Sequence, residues 1–341
     1  MLITKSVRKL TAYTPGEQPK AKSVVKLNTN ENPYPPSPRC AKVLSSFDLD
    51  LLRRYSDPDC TALRAALERF TGAKSENIFV GNGSDEVLAL AARAFVENDE
   101  SIASLDPSYS LYKTLAAIRD VPWRGFSEPE DVRGEAAKGV ALFLLTNPNA
   151  PTGTLREPSR IAAFAKKFKG VVLVDEAYGD FASENCMALA ADPANKNIIV
   201  MRTLSKSFSL AGLRVGYCVG PKPLIDALYK VKDSYNVDAV AQAVATAAVK
   251  DAAWMRSNVK KVAATRARFT AELVSRGWDV LPSEANFVFA RPPSGTSARD
   301  LFEALRKKNI FVRYFPGPLT GNRLRITIGT DAQMDKLLTV I

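Results

Sequence analysis

The sequence has no histidine at any of its 341 positions. Ser-His-Asp and Cys-His catalysis are therefore excluded, as are metal sites with histidine ligands. General acid–base chemistry would have to use lysine, tyrosine, aspartate, glutamate or cysteine. The absence of histidine favours an enzyme whose base is a lysine.

Cysteine is scarce, and its spacing resembles neither a metal site nor a dense disulfide framework. The four cysteines are Cys40, Cys60, Cys186 and Cys218. Long apolar runs are also missing, and the first ten residues, MLITKSVRKL, lack the apolar core of a signal peptide. We therefore expect a protein of the reduced cytoplasm with no membrane partner.

Long basic tracts are absent too, although the formal net charge is +11. Lysine and arginine are scattered and form only local pairs, such as Lys166-Lys167 and Lys260-Lys261. A scattered excess is more typical of solubility, or of attraction for small anions, than of a nucleic-acid footprint. We predict no nucleic-acid partner.

Short apolar strands alternate with helical segments between residues 76 and 220. This alternation predicts an α/β fold, in which a mostly parallel central sheet carries helices on both faces. Ligands of such sheets bind at the carboxyl ends of the strands. Five residues directly follow predicted strands, namely Gly81, Tyr109, Asn147, Asp175 and Lys206.

A chain of this length is expected to form about two domains. Residues 1–38 are rich in proline and asparagine and predict an extended N-terminal arm. Residues 39–235 would form the large domain with the predicted sheet. After residue 221 the pattern changes to helices over 222–233 and 239–274, followed by short strands. Residues 236–341, with part of the arm, would form a smaller α+β domain.

The glycine-rich turn GNGSDE, residues 81–86, leads from a strand into a helix. Ser84 is predicted to cap that helix, with Asp85 in its first turn. Backbone N–H groups at such a turn can bind a phosphate. The alternative is an ordinary tight turn.

The stretch TLSKSFSLAGLRVGY, residues 203–217, places hydroxyl side chains on both sides of Lys206 and an arginine, Arg214, eight residues later. A lysine amine can attack an aldehyde, and hydroxyls with a guanidinium can hold a phosphate. This pattern is what a Schiff-base site for a phosphorylated aldehyde needs. The alternative is a solvated loop lysine.

Other strand ends supply the remaining groups that a pyridoxal phosphate enzyme needs. Asp175 could hold a proton on the pyridine nitrogen, and Tyr178 could reach the ring oxygen. Tyr109 could stack on the ring. Each residue also has a structural alternative, such as a helix cap for Asp175 or core packing for Tyr178.

Eight stretches together resemble the fold-type-I pyridoxal-phosphate aminotransferases, and among them the histidinol-phosphate aminotransferase family. They extend from residue 27 to residue 330 in the family's order: LNTNENPYP, RRYSDP, GNGSDE, DPSYSLY, NPNAPTG, VDEAY, TLSKSFSLAGLRVGY and RLRITIGT.

This resemblance implies a role for each matching residue around pyridoxal 5'-phosphate. Lys206 would carry the cofactor and move the proton, while Asp175 and Tyr178 would contact the pyridine nitrogen and ring oxygen. Tyr109 would stack on the ring. The residues around the cofactor phosphate would be Ser84, Asp85 (through its backbone), Ser205 and Arg214.

The resemblance also implies substrate contacts and an assembly. Arg325 would bind the substrate α-carboxylate, with Arg313 and Tyr13 near the substrate side chain. Tyr55 would reach into the neighbouring subunit's site, which makes the protein an obligate homodimer with shared active sites. No metal is implied.

One position departs from the family's pattern. The family has asparagine directly before Pro-Thr-Gly, where it contacts the cofactor's ring oxygen, and this chain has Ala150. Asn149, or Asn147, would have to replace it.

The implied activity is amino transfer between L-histidinol phosphate and 2-oxoglutarate, giving imidazole acetol phosphate and glutamate in histidine biosynthesis. Two alternatives share the fold: an aromatic amino acid aminotransferase and a phosphothreonine decarboxylase. A pyridoxal-sensing transcription regulator would need a DNA-binding domain, for which the sequence leaves no room before the arm.

Overall fold

The computed structural model describes residues 2–10, 16–19 and 24–341. Its strands are, in chain order, Val25–Lys26 (β1), Ile78–Gly81 (β2), Ser101–Leu105 (β3), Trp123–Phe126 (β4), Val140–Thr146 (β5), Val171–Asp175 (β6), Ile198–Thr203 (β7), Gly216–Val219 (β8), Asp279–Val280 (β9), Phe287–Arg291 (β10), Ile310–Phe311 (β11), Arg313–Tyr314 (β12) and Leu324–Thr327 (β13).

The α-helices of the described residues alternate with these strands over the first two thirds of the chain. They are Lys5–Lys9 (α1), Pro38–Ser45 (α2), Thr61–Thr71 (α3), Ser84–Phe95 (α4), Leu111–Arg119 (α5), Pro158–Lys167 (α6), Met187–Ala191 (α7), Lys222–Val231 (α8), Ala239–Lys250 (α9), Ala252–Ser275 (α10), Ala298–Lys307 (α11) and Asp331–Leu338 (α12).

The larger sheet of the described chain has seven strands in the order β2-β8-β7-β6-β5-β3-β4. The strands from β7 to β4 pair in parallel, whereas β8 runs antiparallel to both β2 and β7. The predicted mostly parallel sheet is confirmed. Because β3, β5, β6 and β7 point the same way, their carboxyl ends meet at one edge.

Helices cover both faces of this sheet, as predicted. Along β5, Leu142 and Leu144 pack into one buried cluster with residues of α4, α5 and α8. Phe143 and Leu145 pack into the opposite cluster with α3, α6 and α9. Alternate residues of a strand point to opposite faces, so a strand buried on both sides must be apolar throughout.

A smaller antiparallel sheet, ordered β12-β13-β10-β9, lies in the C-terminal third. Its core packs against α10, α11 and α12, with Phe269, Leu305 and Met334 fully buried. The arm joins this region because β1 pairs in parallel with β11. The three-segment division of the chain stays a prediction.

Two local predictions were wrong. The helix predicted over 239–274 is two helices, because the backbone leaves helical geometry at Asp251 (ψ 40°). The Asp251 carboxylate there accepts a hydrogen bond from the Ser37 hydroxyl at 2.5 Å. Ser84 is not the helix cap: Gly83 is, with φ 82°, a left-handed value that glycine adopts without strain.

Gly216 lets β8 approach the start of α4 closely. A Cβ at this position would lie 2.5 Å from the backbone nitrogen of Ser84 and 2.7 Å from the carbonyl carbon of Gly83. Neither backbone atom can rotate away, so the strand and the turn would have to separate.

We predict that Gly216→Ala lowers the free energy of unfolding by about 1–3 kcal/mol, the usual cost of overpacking. Urea denaturation measures this change. The matched control is Gly212→Ala, because a Cβ at the exposed Gly212 meets nothing within 4 Å. Equal midpoints for both variants would show that the approach at Gly216 is not tight.

Candidate active site

A cavity of about 350 Å³ opens at the edge where the parallel strands end. Residues from the arm, the strand ends and the small sheet all line it. Of the residues predicted from the sequence, those that line it are Ser84, Asp85, Tyr109, Asp175, Tyr178, Ser205, Lys206, Arg214, Arg313 and Arg325. Residues that are far apart in the sequence therefore meet in one site.

Lys206 lies in the turn that follows β7 and projects into this cavity. Its Nζ donates to the backbone carbonyl of Thr29 in the arm at 3.0 Å. Burial lowers the pKa of the Lys206 amine to about 8, and the nearby Arg325 acts in the same direction. At pH 7 about a tenth of such amines are neutral, far more than for an ordinary lysine.

Asp175, the last residue of β6, is buried on the cavity wall. Its carboxylate accepts hydrogen bonds from the Tyr112 hydroxyl at 2.8 Å and from the backbone N–H of Ala177 at 3.0 Å. Burial raises the pKa of Asp175 to about 6, against the opposing effect of these two hydrogen bonds. A cation next to this carboxylate would relieve the cost of burying its charge.

One end of the cavity is suited to an anion. The first N–H groups of α4 lie there. The Arg214 guanidinium lies beside Gly83, because a Cβ added at Gly83 would be 2.6 Å from Arg214 Nη2. The hydroxyl of Ser205, held by the Thr203 hydroxyl at 2.9 Å, lines the same cavity. Helix N–H groups, hydroxyls and a guanidinium together form a donor set for phosphate.

Asp85 partly balances this positive end. Its carboxylate pairs with Arg214 at 3.4 Å and accepts from the Tyr109 hydroxyl at 3.4 Å. The Arg214–Asp85 pair is about half exposed, so the attraction is screened by solvent.

Two arginines from the small sheet form the opposite wall. Arg325 of β13 donates to the carbonyl of Asn28 at 3.1 Å. Its guanidinium lies 5.1 Å from the ring centre of Phe315, and that of Arg313 lies 5.4 Å from the same ring. This wall therefore presents two cations to a ligand.

A buried ion-pair network lies beside the catalytic candidates. Arg202 donates to Glu176 at 2.7 and 3.0 Å and to Asp180 at 2.7 Å. Asp180 also accepts from the Ser207 hydroxyl at 2.5 Å. Although burial opposes the charge of Arg202, Asp180 and Glu176 outweigh it and raise the pKa of Arg202 above its usual range.

Three predicted residues do not line the cavity. The side chain of Asn149 is buried, where it donates to the Pro107 carbonyl and Thr152 hydroxyl and accepts from Ser108. Asn147 exchanges two hydrogen bonds with the backbone of Arg156. Ala150 itself lines the cavity, and the replacement of its missing amide by Asn149 or Asn147 stays a prediction.

Tyr55 is the third residue outside the cavity. It lies on the surface, where the residue is 82% exposed and its ring stacks on Tyr235 at 4.3 Å between ring centres. The predicted contact of Tyr13 lies outside the described residues.

Sequence reasoning missed two residues that fix the site. Tyr112 holds Asp175 and shares a hydrogen bond with Thr146 at 2.5 Å. Its signal was present in DPSYSLY, where Tyr109 and Tyr112 are one helical turn apart. Asn30, whose amide donates to the Tyr178 hydroxyl at 2.8 Å, had a weaker signal as one of several asparagines in the arm.

Two further findings concern residues 2–10, 16–19 and 24–341. This part of the chain holds no cluster of acidic or cysteine side chains that could bind a metal ion. None of its helices is long and apolar enough to cross a membrane.

Comparison with known proteins agrees with this site. The sequence profile of the family described as aminotransferase class I and II matches residues 22–341. The chain is 44% identical to a histidinol-phosphate aminotransferase of Acetobacter pasteurianus, an alignment that covers 98% of this chain and 95% of the relative.

Solved structures give the same result. The histidinol-phosphate aminotransferase of Sinorhizobium meliloti, in complex with pyridoxal-5'-phosphate, matches with a TM-score of 0.89 and 25% identity, covering 99% of this chain and 96% of that one. The L-threonine-O-3-phosphate decarboxylase of Porphyromonas gingivalis shares the fold, with a TM-score of 0.80, 23% identity and coverage of 93% and 98%. The chain therefore belongs to the class I and II aminotransferases, and within them to the histidinol-phosphate aminotransferase family.

Proposed function

We propose that this chain is a pyridoxal-phosphate-dependent histidinol-phosphate aminotransferase, which moves an amino group between L-histidinol phosphate and 2-oxoglutarate in histidine biosynthesis. The observation that carries the proposal is one cavity that joins a lysine of lowered pKa, a buried carboxylate, an anion-binding helix start and two arginines. The proposal is also supported by the family to which the chain belongs.

The residues present fit pyridoxal phosphate. Bound there, it would supply an electrophilic carbon and a ring that withdraws electrons. Ser84, Ser205, Arg214 and the start of α4 would hold its phosphate, and the Asp85 backbone belongs to that same first turn. Asp175 would face the ring nitrogen, Tyr178 the ring oxygen and Tyr109 the ring surface.

Lys206 is the proposed proton carrier. An amine whose pKa is about 8 can accept and release a proton near neutral pH, which an ordinary lysine does poorly. Its hydrogen bond to the Thr29 carbonyl holds the amine within the cavity.

We predict that borohydride, added to the protein with pyridoxal phosphate, attaches the cofactor at Lys206 alone. Peptide mapping locates the label. Lys206→Ala should keep its circular dichroism spectrum but lose the visible cofactor band, whereas Lys222→Ala, which changes an exposed lysine paired with Asp226, should be labelled like wild type. Labelling at a different lysine contradicts the assignment.

Asp175 is the proposed partner of a protonated ring nitrogen. Because burial raises the pKa of Asp175 to about 6, the carboxylate is charged at pH 7 and above but becomes protonated as the pH falls through about 6. A neutral carboxyl group cannot balance a cationic nitrogen.

We predict that the unloaded protein binds pyridoxal phosphate more weakly as the pH falls below about 6, and that Asp175→Asn abolishes this dependence. The same variant should lower kcat by on the order of 10² or more while changing KM much less, as expected for a lost electrostatic stabiliser. Fluorescence titration and steady-state kinetics measure both effects. A variant with near-normal kcat would leave Asp175 a structural role only.

Arg325 and Arg313 support the choice of substrate. A guanidinium can donate hydrogen bonds to two oxygens of either a carboxylate or a phosphate, so one wall can serve both glutamate and histidinol phosphate. The carboxylate of an aromatic amino acid lacks the second negative charge of a phosphate and would satisfy these donors less well.

We predict that kcat/KM for histidinol phosphate exceeds that for phenylalanine or tyrosine by at least about two orders of magnitude, or roughly 3 kcal/mol. A panel of amino donors with 2-oxoglutarate gives the ratio. Arg325→Lys should impair both half-reactions, since a point charge replaces a fork. Equal rates with phenylalanine would favour an aromatic aminotransferase, and carbon dioxide release from phosphothreonine would favour a decarboxylase.

A homodimer with shared sites is part of the proposal. Tyr55 stacks on Tyr235, and both are exposed, as are Leu49 and Leu52, which precede Tyr55 by a few positions in the sequence. A second copy of the chain would bury this apolar surface. Tyr55 of the first copy would then reach the cavity of the second. A reduced cytoplasm is the proposed location, since all four cysteines are free and buried.

We predict that mixing Lys206→Ala and Tyr55→Phe subunits restores activity above that of either parent. If Tyr55 crosses the interface, one site of each heterodimer carries both lesions and the other carries neither. Subunit exchange is verified first by native mass spectrometry. No rescue after exchange would mean that Tyr55 serves its own chain or neither site.

A further inference from the structure

Three hydroxyl groups connect the Asp175 carboxylate to the buried amide of Asn149. Asp175 accepts from the Tyr112 hydroxyl at 2.8 Å, and Tyr112 shares a hydrogen bond of 2.5 Å with the Thr146 hydroxyl. Thr146 shares one of 3.1 Å with the Ser108 hydroxyl, which lies 2.9 Å from Asn149 Oδ1. Tyr112, Thr146 and Ser108 are called the hydroxyl chain below.

Both ends of the hydroxyl chain are acceptors. The Asn149 amide nitrogen donates to the Pro107 carbonyl and to the Thr152 hydroxyl, each at 3.0 Å. A carbonyl can only accept, so the amide nitrogen faces Pro107 and the amide oxygen faces Ser108. At the other end, a charged Asp175 carboxylate has no proton to donate.

The hydroxyl chain is therefore one proton short when Asp175 is charged. Its three hydroxyls carry three protons, whereas four links separate the two acceptors. One link must then bring two oxygen lone pairs together. A charged carboxylate is the strongest acceptor present, so the Tyr112 proton goes to Asp175. The unfilled link is the one between Thr146 and Ser108, which is the longest of the four.

A proton on Asp175 removes this shortage. The neutral acid donates to Tyr112, each hydroxyl donates to the next, and every link then holds one proton. We propose that Ser108 is a positioning residue: by linking the hydroxyl chain to a second acceptor, Asn149, it makes Asp175 keep its proton to a higher pH. Tyr112 acts in the opposite direction, because its hydrogen bond stabilises the charged carboxylate.

The titratable groups around Asp175 stay unchanged when Ser108 is replaced. Burial raises the pKa of Asp175 to about 6, and the carboxylates of Asp85 and Glu176 add to this rise, whereas the Tyr112 hydroxyl opposes it. Lys206 lines the same cavity. Tyr112 keeps its proton, because burial and the nearby Asp175 raise the pKa of its hydroxyl well above its usual range.

The consequence for the cofactor rests on the proposed function, in which a charged Asp175 faces a protonated ring nitrogen. As the pH falls, Asp175 takes up a proton and can no longer balance that nitrogen. A hydroxyl chain that favours the neutral acid moves this loss to a higher pH. Ser108 would thus set the acid limit of cofactor binding.

The first test follows the Asp175 carboxyl group in the full-length protein before any cofactor is added. Aspartate labelled with carbon-13 at the carboxyl carbon is titrated by NMR from pH 4 to pH 9, and Asp175→Asn identifies the resonance. Ser108→Ala leaves two links with two protons, from Thr146 to Tyr112 and from Tyr112 to Asp175. The midpoint should therefore fall by about half a unit or more, as expected for one neutral hydrogen bond.

Two further variants separate this effect from a general loosening of the site. Tyr112→Phe removes the donor to the carboxylate, so the midpoint should rise by about one unit or more. Ser108→Thr keeps the hydroxyl and should titrate like wild type. Loosening alone would move Ser108→Ala and Tyr112→Phe in the same direction.

The second test measures the affinity for pyridoxal phosphate by fluorescence titration over the same pH range. The pH below which binding weakens should move down in Ser108→Ala and up in Tyr112→Phe. A midpoint of Asp175 that is unchanged or raised in Ser108→Ala, or that falls equally in Ser108→Thr, overturns the inference and leaves the proposed function intact. The expected midpoints in a wild-type protein that binds no pyridoxal phosphate would support the inference and overturn the proposed function.

Discussion

The ion pairs of Arg202 restrain the end of β6, which carries Asp175, relative to the turn after β7, which carries Lys206. Glu176 directly follows Asp175, and Ser207 directly follows Lys206, so one buried cation restrains the neighbours of both catalytic candidates. Removing one partner of a buried pair typically costs about 3–5 kcal/mol, because the remaining charge is left without compensation. The spacing between Lys206 and Asp175 therefore depends on an interaction that the cavity itself does not contain.

Burial acts in opposite directions on the two groups that this network holds. It raises the pKa of the Asp175 carboxylate to about 6 and lowers the pKa of the Lys206 amine to about 8. In each case the low dielectric disfavours the charged form. The pKa values of the acid and of the base are thus both brought close to neutral pH, the range in which histidine usually acts.

Much of this arrangement could be predicted from the sequence. Continuous apolar strands predicted the parallel sheet. The polar residues after them, such as Asp175 and Lys206, indicated the edge of the sheet where the cavity lies. The misplaced features depended on tertiary contacts. Asp251 interrupts a helix where it bonds to Ser37, more than 200 positions away, and the Asn149 amide donates to the Pro107 carbonyl, 42 positions away. No local pattern contains those partners.

Asn30 is a second residue whose contacts no local sequence pattern contains. Its four hydrogen bonds reach Tyr178, Asn286 and Thr327, so its contacts depend entirely on the fold. In the sequence it is one asparagine among several. The single local clue is its residue type, since asparagine is among the few side chains that accept the left-handed backbone that Asn30 has, with φ 57°.

The absence of histidine from the chain has a consequence for the cell. None of the 341 codons for this chain calls for histidyl-tRNA. For an enzyme that serves histidine biosynthesis, ribosomes can make new copies while the free histidine supply is exhausted, which is when more enzyme is needed. The shortage of the end product does not stall synthesis of the catalyst that relieves it.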